Sequence, residues 1–135
     1  MTEYISQIEH IVLSHAYYKA YELLYRRNAR KREAIEAQVI ILHFSKVYFK
    51  LSSGDLGKYV RGKTHSAILH SLKNFDDWYE VDPAFKQRVD EIAPLVEIFY
   101  NELCKVFKLC DEIYEDKKNF TRMELLNFGK ICTLL

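Results

Sequence analysis

Gly57, four further residues and then Gly62-Lys63-Thr64 reproduce the phosphate-loop spacing G-x-x-x-x-G-K-[ST] within "LGKYVRGKTHSAILHSL", residues 56–72. In that chemistry, glycine-rich backbone N–H groups cradle phosphates, a lysine reaches the β and γ oxygens, and a hydroxyl holds magnesium. The same letters also fit a turn that delivers His65 and Ser66 to the start of a recognition helix. Other reactive constellations are missing from the sequence. His65 and His70 stand five residues apart, which puts them about 140° apart around a helix, whereas a helical chelate needs the i, i+4 spacing. Cys104, Cys110 and Cys132 form no C-x-x-C pair, so structural zinc has no support. No Ser, Cys or Thr is arranged as a nucleophile, and His43 reads as a core histidine. The chain is therefore expected to be no enzyme and to use no metal, cofactor or small-molecule substrate.

The surrounding elements decide between phosphate and another polyanion. Ile5, Ile8, Ile11 and Val12 predict a helix over about residues 3–14. Tyr17, Tyr21, Leu24 and Tyr25 suggest a second helical stretch, and "RRNARKR" follows with Arg26, Arg27, Arg30, Lys31 and Arg32 around Asn28 and Ala29. From Ala34 to about Lys50, Ile35, Val39, Leu42 and Val47, widened by Ile40, Ile41 and Phe44, describe a buried helix. Ser52 or Ser53 can cap a short helix to about Val60, and another runs from about Thr64 to about Tyr79. Asp82-Pro83 opens the next, with an acceptor at the cap and proline at the first helical position. Pro94 is expected to kink or divide it. Thr121 and Glu124 form a capping box for a last helix. A phosphate loop needs a strand before it and a parallel sheet around it, and this helical pattern supplies neither.

With 49% hydrophobic and 14% aromatic residues, a packed core is within reach of one domain, and four Gly and two Pro favour long helices over a many-turned β architecture. The polar, acidic start "MTEYISQIEH", the lack of a membrane-length apolar run and the odd cysteine count predict a reduced cytoplasmic protein with no membrane partner. The net charge of +1 hides an asymmetry. Residues 1–75 hold 12 Lys/Arg against 6 Asp/Glu, and residues 76–135 hold 8 against 13, giving +6 and −5. A basic half points to a polyanion, because clustered cations release counterions from a phosphate backbone. On the helix from Thr64, Ile68, Leu69, Leu72, Phe75 and Tyr79 share one side, and Ser66, His70, Lys73 and Asn74 the other.

The order of parts, with Leu56-Gly57, Gly62, His65-Ser66 and Ile68-Leu69-His70, resembles the signature I-G-x-x-[FY]-G-x-R-D-H-[ST]-T-V-L-H-A of the C-terminal DNA-binding domain of the bacterial replication initiator DnaA, a Trp-repressor-like helix-turn-helix. The resemblance runs over about residues 5–92. It implies an all-α fold and binding of duplex DNA in replication initiation or its regulation. By position, it implies Arg26, Arg27 and Arg30 at the minor groove or phosphates, Lys46, Ser53 and Arg61 on the backbone, and Lys63, Thr64, His65 and Ser66 at base edges. His70 and Lys73 complete the expected DNA-binding set. The family has Arg-Asp where this chain has Lys63-Thr64, Thr where it has Ala67, and usually Arg-Gln where it has Gln38-Val39. DNA binding is therefore expected to carry over more readily than specificity for the family's box, and no counterpart of the family's ATPase domain is read in these residues.

The expected organisation is a multi-helix, DnaA-like helix-turn-helix domain over residues 1–93 and a helical C-terminal extension over 94–135. In the extension, Val96, Phe99, Leu103, Val106, Cys110 and Ile113 follow coiled-coil spacing. Leu95, Phe107, Leu109 and Tyr114 broaden that seam, which favours packing on the chain's own core and leaves a homodimer through residues 95–114 as the alternative. The rival to DNA binding is a helical protein-interaction module that has lost the DNA site. A nucleotide-binding phosphate-loop protein ranks third.

Overall fold

α1 (Thr2–Ser14) buries Tyr4, Ile5, Ile8 and Val12, so the three-and-four spacing read in the sequence becomes its core face. A computed structural model describes residues 2–59 and 64–116, and among them every regular element is helical. The second helical stretch is divided into α2 (Ala16–Lys19) and α3 (Glu22–Arg26). His15 caps α2 by accepting the Tyr17 N–H at Nδ1, 3.2 Å away. Tyr21 then leaves helical conformation, at φ −109° and ψ 11°, while Tyr18 stays fully buried beneath the break. α3 closes with two backbone bonds of 3.0 Å, Ala29 N–H to the Leu24 carbonyl and Asn28 N–H to that of Tyr25. Asn28 takes the left-handed conformation at φ 56°, which makes this a Schellman closure with asparagine in the place glycine usually holds.

α4 (Arg32–Phe49) is the hub. α1, α2, α3, α5 (Ser53–Tyr59) and α6 (His65–Val81) all pack against it. Its residues from Glu36 to Leu42 are buried without interruption, which accounts for the widened apolar stripe of the sequence. Ser52 caps α5, its Oγ accepting the Asp55 N–H at 3.2 Å. Thr64 caps α6 through Oγ1 and the Ala67 N–H, also at 3.2 Å. α7 (Pro83–Asp116) starts as the sequence predicts, with Asp82 Oδ1 accepting the N–H groups of Ala84 at 3.1 Å and Phe85 at 3.2 Å.

Pro94 does not divide α7. Phe85, Val89, Ile92 and Val96 form one buried stripe that continues past it, while Pro94 itself faces solvent. Burial on both sides of the proline thus outweighs the hydrogen bond it removes. The chain forms two compact units, Met1–Val96 and Glu97–Leu135. In the second, Leu103 is buried, Val106 is half-buried and Glu102 pairs with Lys105 at 3.1 Å. The Thr121–Glu124 capping box and the Cys110 and Ile113 side chains lie outside the described residues.

One charged cluster sits inside the first unit. Glu36, whose side chain is 4% exposed, accepts at Oε1 from the Tyr18 hydroxyl (2.9 Å) and Arg88 Nη2 (2.8 Å), and at Oε2 from Arg32 Nε (3.0 Å). Arg88 Nε also donates to the Tyr18 oxygen at 3.2 Å, and its guanidinium lies 4.0 Å over the Tyr17 ring. Burial raises the Tyr18 hydroxyl well above the ordinary tyrosine range. Burial also disfavours the charge on Arg88, but hydrogen bonds to Tyr18 and Glu36 more than compensate, so its proton is held more tightly than usual. Replacing Glu36 by leucine strands Arg88, and about 3–5 kcal/mol of stability should be lost in urea unfolding. Glu36→Leu combined with Arg88→Met should recover much of that loss. A double variant as unstable as the sum of its single variants would show that the pair does not act as one unit.

Candidate nucleic-acid interface

The five cations of "RRNARKR" have different fates. Arg26, half-exposed, is bound to Glu9 at 2.5 Å and Glu22 at 3.5 Å, and the Glu9 hydrogen bond is the main reason its proton is held more tightly than usual. Arg32 stacks on Trp78, 3.7 Å from the ring centroid, besides its bond to Glu36 and a 3.9 Å contact with Asp82. Lys31 lies 5.7 Å over the Tyr21 ring. Arg27 and Arg30 are exposed and have no carboxylate partner among the described residues. They flank the left-handed Asn28, so the Schellman closure projects two free guanidinium groups from the turn between α3 and α4.

α6 supplies the second part. His65, Ser66, His70 and Lys73 are exposed in its first turns, and no carboxylate occurs on the helix before Asp76. Asp76, Asp77 and Glu80 are exposed in its second half, so the helix is polarised along its length. Thr64 Oγ1 is engaged as a cap acceptor, leaving the hydroxyl proton and one lone pair for another partner. Ile68 and Phe75 are buried, but Leu69 is 45% exposed and does not join the apolar side to which its spacing assigned it. It lies about 40° from His65 around the helix, between His65 and Lys73. Sequence reasoning missed this because the neighbouring Ile68 and Leu72 suffice to pack α6. The signal available was its place at the edge of that side, about 40° from Lys73 and about 60° from Leu72.

The remaining expected positions are spread over α4 and α5. Lys46 is exposed on α4 without a carboxylate partner among the described residues. Ser53 is only 6% exposed, and the accessible serine at the start of α5 is Ser52, with its oxygen taken by the cap. A contact from Ser53 would have to use its backbone N–H. Arg61 and Lys63 lie outside the described residues. Gly57, the first glycine of the phosphate-loop spacing, is a buried residue within α5, preceded by the helix α4. That is not the strand-then-loop context in which the spacing binds nucleotides. His43 packs face to face on Phe75, 3.6 Å between centroids at 9°, and burial pushes its pKa down, only partly countered by Asp76. Gln38 Nε2 and Ser45 Oγ are buried on α4 without a hydrogen-bond partner among the described residues.

An all-α domain with a short α5 and a longer, N-capped α6 crossing a buried α4 has the form of a helix-turn-helix protein. Comparison with curated proteins gives the kinship: the chain is similar to the chromosomal replication initiator protein DnaA of Bacteroides thetaiotaomicron, with 35% identity over 69 residues, 51% of this chain and 15% of that protein. DnaA of Bacteroides fragilis is 29% identical over 69 residues, 51% and 14% of the two chains, and DnaA of Flavobacterium psychrophilum 33% over 63 residues, 47% and 13%. The matched stretch is thus about half of this chain and a small fraction of each relative. No protein-family profile matches the chain. No solved structure matches it significantly. No described helix is long and apolar enough to cross a membrane.

The His43 environment gives a pH test. Its folded pKa lies below the ordinary 6.5, so the unfolded chain takes up the proton first and stability is lost as pH falls from the unfolded value through the folded one. His43→Phe keeps a ring on Phe75 and removes the proton. Its urea midpoint relative to the parent chain should therefore rise between about pH 8 and about pH 5. An equal offset at both ends would mean that His43 does not titrate differently on folding.

Proposed function

We propose that this chain is a DnaA-like helix-turn-helix module that binds duplex DNA, in replication initiation or its regulation. The observation that carries the reading is the acid-free exposed start of α6, with His65, Ser66, His70 and Lys73, alongside the unpaired Arg27 and Arg30. The DnaA proteins named above are replication initiators, which supports the same role here. The first turn of α6 enters the major groove. Lys63, Thr64, His65 and Ser66 meet base edges, and the helix N-terminus favours nearby phosphate. Leu69, with no hydrogen-bonding group, can meet only an apolar base edge there. Arg27 and Arg30 sit at the adjacent minor groove or its phosphates, and Arg26 joins them by exchanging Glu9 for DNA. Lys46, Arg61, His70, Lys73 and the backbone at Ser53 hold the phosphates. Residues 1–93 act as the DNA-binding domain, and residues 94–135 as a helical extension.

The second reading is a protein-interaction module working through α7. It draws on the exposure of Leu95 and Ile98, and includes a homodimer through residues 95–114. Fluorescence anisotropy with random duplexes and with DnaA-box duplexes across a salt series separates the two. Binding should weaken steeply as salt rises, and Arg30→Ala should flatten the log–log slope by about one unit. Glu9→Gln, which removes one of the two carboxylates that hold Arg26, should strengthen binding at low salt. His65→Ala should reduce preference among duplexes by about 1–3 kcal/mol with little change in slope. Failure to bind either duplex at low salt would sink the DNA reading in favour of the interaction module.

A further inference from the structure

We infer that Asn28 is a specificity-determining residue that reads guanine from the minor groove, its amide oxygen accepting from the N2 amino group of the base. This rests on the DNA-binding reading above and names what the α3–α4 turn recognises. Asn28 holds the left-handed position of the Schellman closure, φ 56°, which glycine adopts at no steric cost and asparagine at some. Its backbone N–H is used by the Tyr25 carbonyl at 3.0 Å, so the closure itself needs no side chain. The side-chain amide is exposed and has no hydrogen-bond partner among the described residues. It therefore adds nothing to the turn that glycine would lack.

What the amide adds is chemical. In "RRNARKR", Asn28 is the one side chain with an acceptor atom, because guanidinium and ammonium groups only donate. The minor groove offers acceptors at every base pair and a single kind of donor, the N2 amino group of guanine. Arg27 and Arg30 can respond to those acceptors and to a narrow groove, but neither can accept from guanine. The Asn28 oxygen can, while its NH2 group donates to an acceptor on the same base edge. The turn thereby distinguishes G·C from A·T, which its cations alone would read only through groove width.

Position supports the same contact. Asn28 stands between Arg27 and Arg30, exposed like both, at the point where the left-handed conformation turns the chain away from α3. An asparagine reaches less far than an arginine, so the contact needs the tip of the turn at the groove itself. Ala29, the next residue, adds no bulk that would hold the tip off, and no carboxylate occurs between Glu22 and Glu33 to repel the two strands. The flanking guanidinium groups hold the tip there by pairing with phosphates on its sides.

Fluorescence anisotropy at one low salt concentration tests this, on the random or DnaA-box duplex, whichever binds more tightly, and on the same duplex with hypoxanthine for every guanine. Hypoxanthine lacks the N2 amino group and leaves the major-groove edge unchanged. Asn28→Gly keeps the left-handed turn and removes the amide, and circular dichroism should find it as helical as the parent chain. The parent should bind the guanine duplex about tenfold more tightly than the variant, and that gap should close on the hypoxanthine duplex. Because the amide is uncharged, the variant should keep the parent's salt slope, unlike Arg30→Ala. An equal loss on both duplexes would mean that Asn28 only shapes the turn, and no loss on either that it touches no base. Each of these overturns the inference and leaves DNA binding standing. A parent chain that binds no duplex at low salt overturns both.

Discussion

The carboxylate of Glu36 is the constraint on which the first unit is arranged. It lies on α4, the helix against which five others pack, and it cannot stay charged there without partners. The partners come from three places in the chain: Tyr18 on α2, Arg32 at the start of α4 and Arg88 on α7. Satisfying one charge therefore fixes how α2 and the start of α7 lie against α4. The net stabilisation of such a buried pair is small, because desolvation offsets most of the Coulomb attraction. Its main effect is on arrangement: other packings of the same helices leave a charge unpaired.

The same arrangement sorts the basic residues. Arg88 and Arg32 are consumed by Glu36, with Arg32 further held on Trp78, and Arg26 is held by Glu9. Among the described residues, Arg27 and Arg30 near the α3–α4 turn and Lys46 and Lys73 on the helices keep no carboxylate partner. A net charge of +1 says nothing about this, and the +6 of the first half overstates it. The electrostatically useful feature is the separation along α6, with polar and basic groups in its first turns and carboxylates from Asp76 onward.

Much of the fold was legible because helices of this chain announce their ends chemically. Asp82-Pro83 and Ser52 both cap as read, and the spacing of Ile5, Ile8 and Val12 became a buried face. The departures have one cause, competition from tertiary contacts that no local pattern encodes. Tyr18 is buried against Glu36, 18 residues away, at the break between α2 and α3, and burial of Ile92 and Val96 carries α7 through Pro94. The candidate site was less legible. Residue types gave the set, but pairing decides which members are available: Arg26 looks identical to Arg30 in the sequence, and Ser53 to Ser52. The phosphate-loop spacing misleads for the same reason, since Gly57 belongs to a helix.

The most direct test of DNA recognition by α6 and the α3–α4 turn is a backbone-amide NMR titration of the 16.1 kDa chain with a short duplex at low salt. Shifts should concentrate at Arg27 to Arg30, around Lys46, and from Thr64 to Lys73, leaving residues 97–108 of α7 unmoved. Shifts confined to α7, or none at saturating duplex, would contradict it.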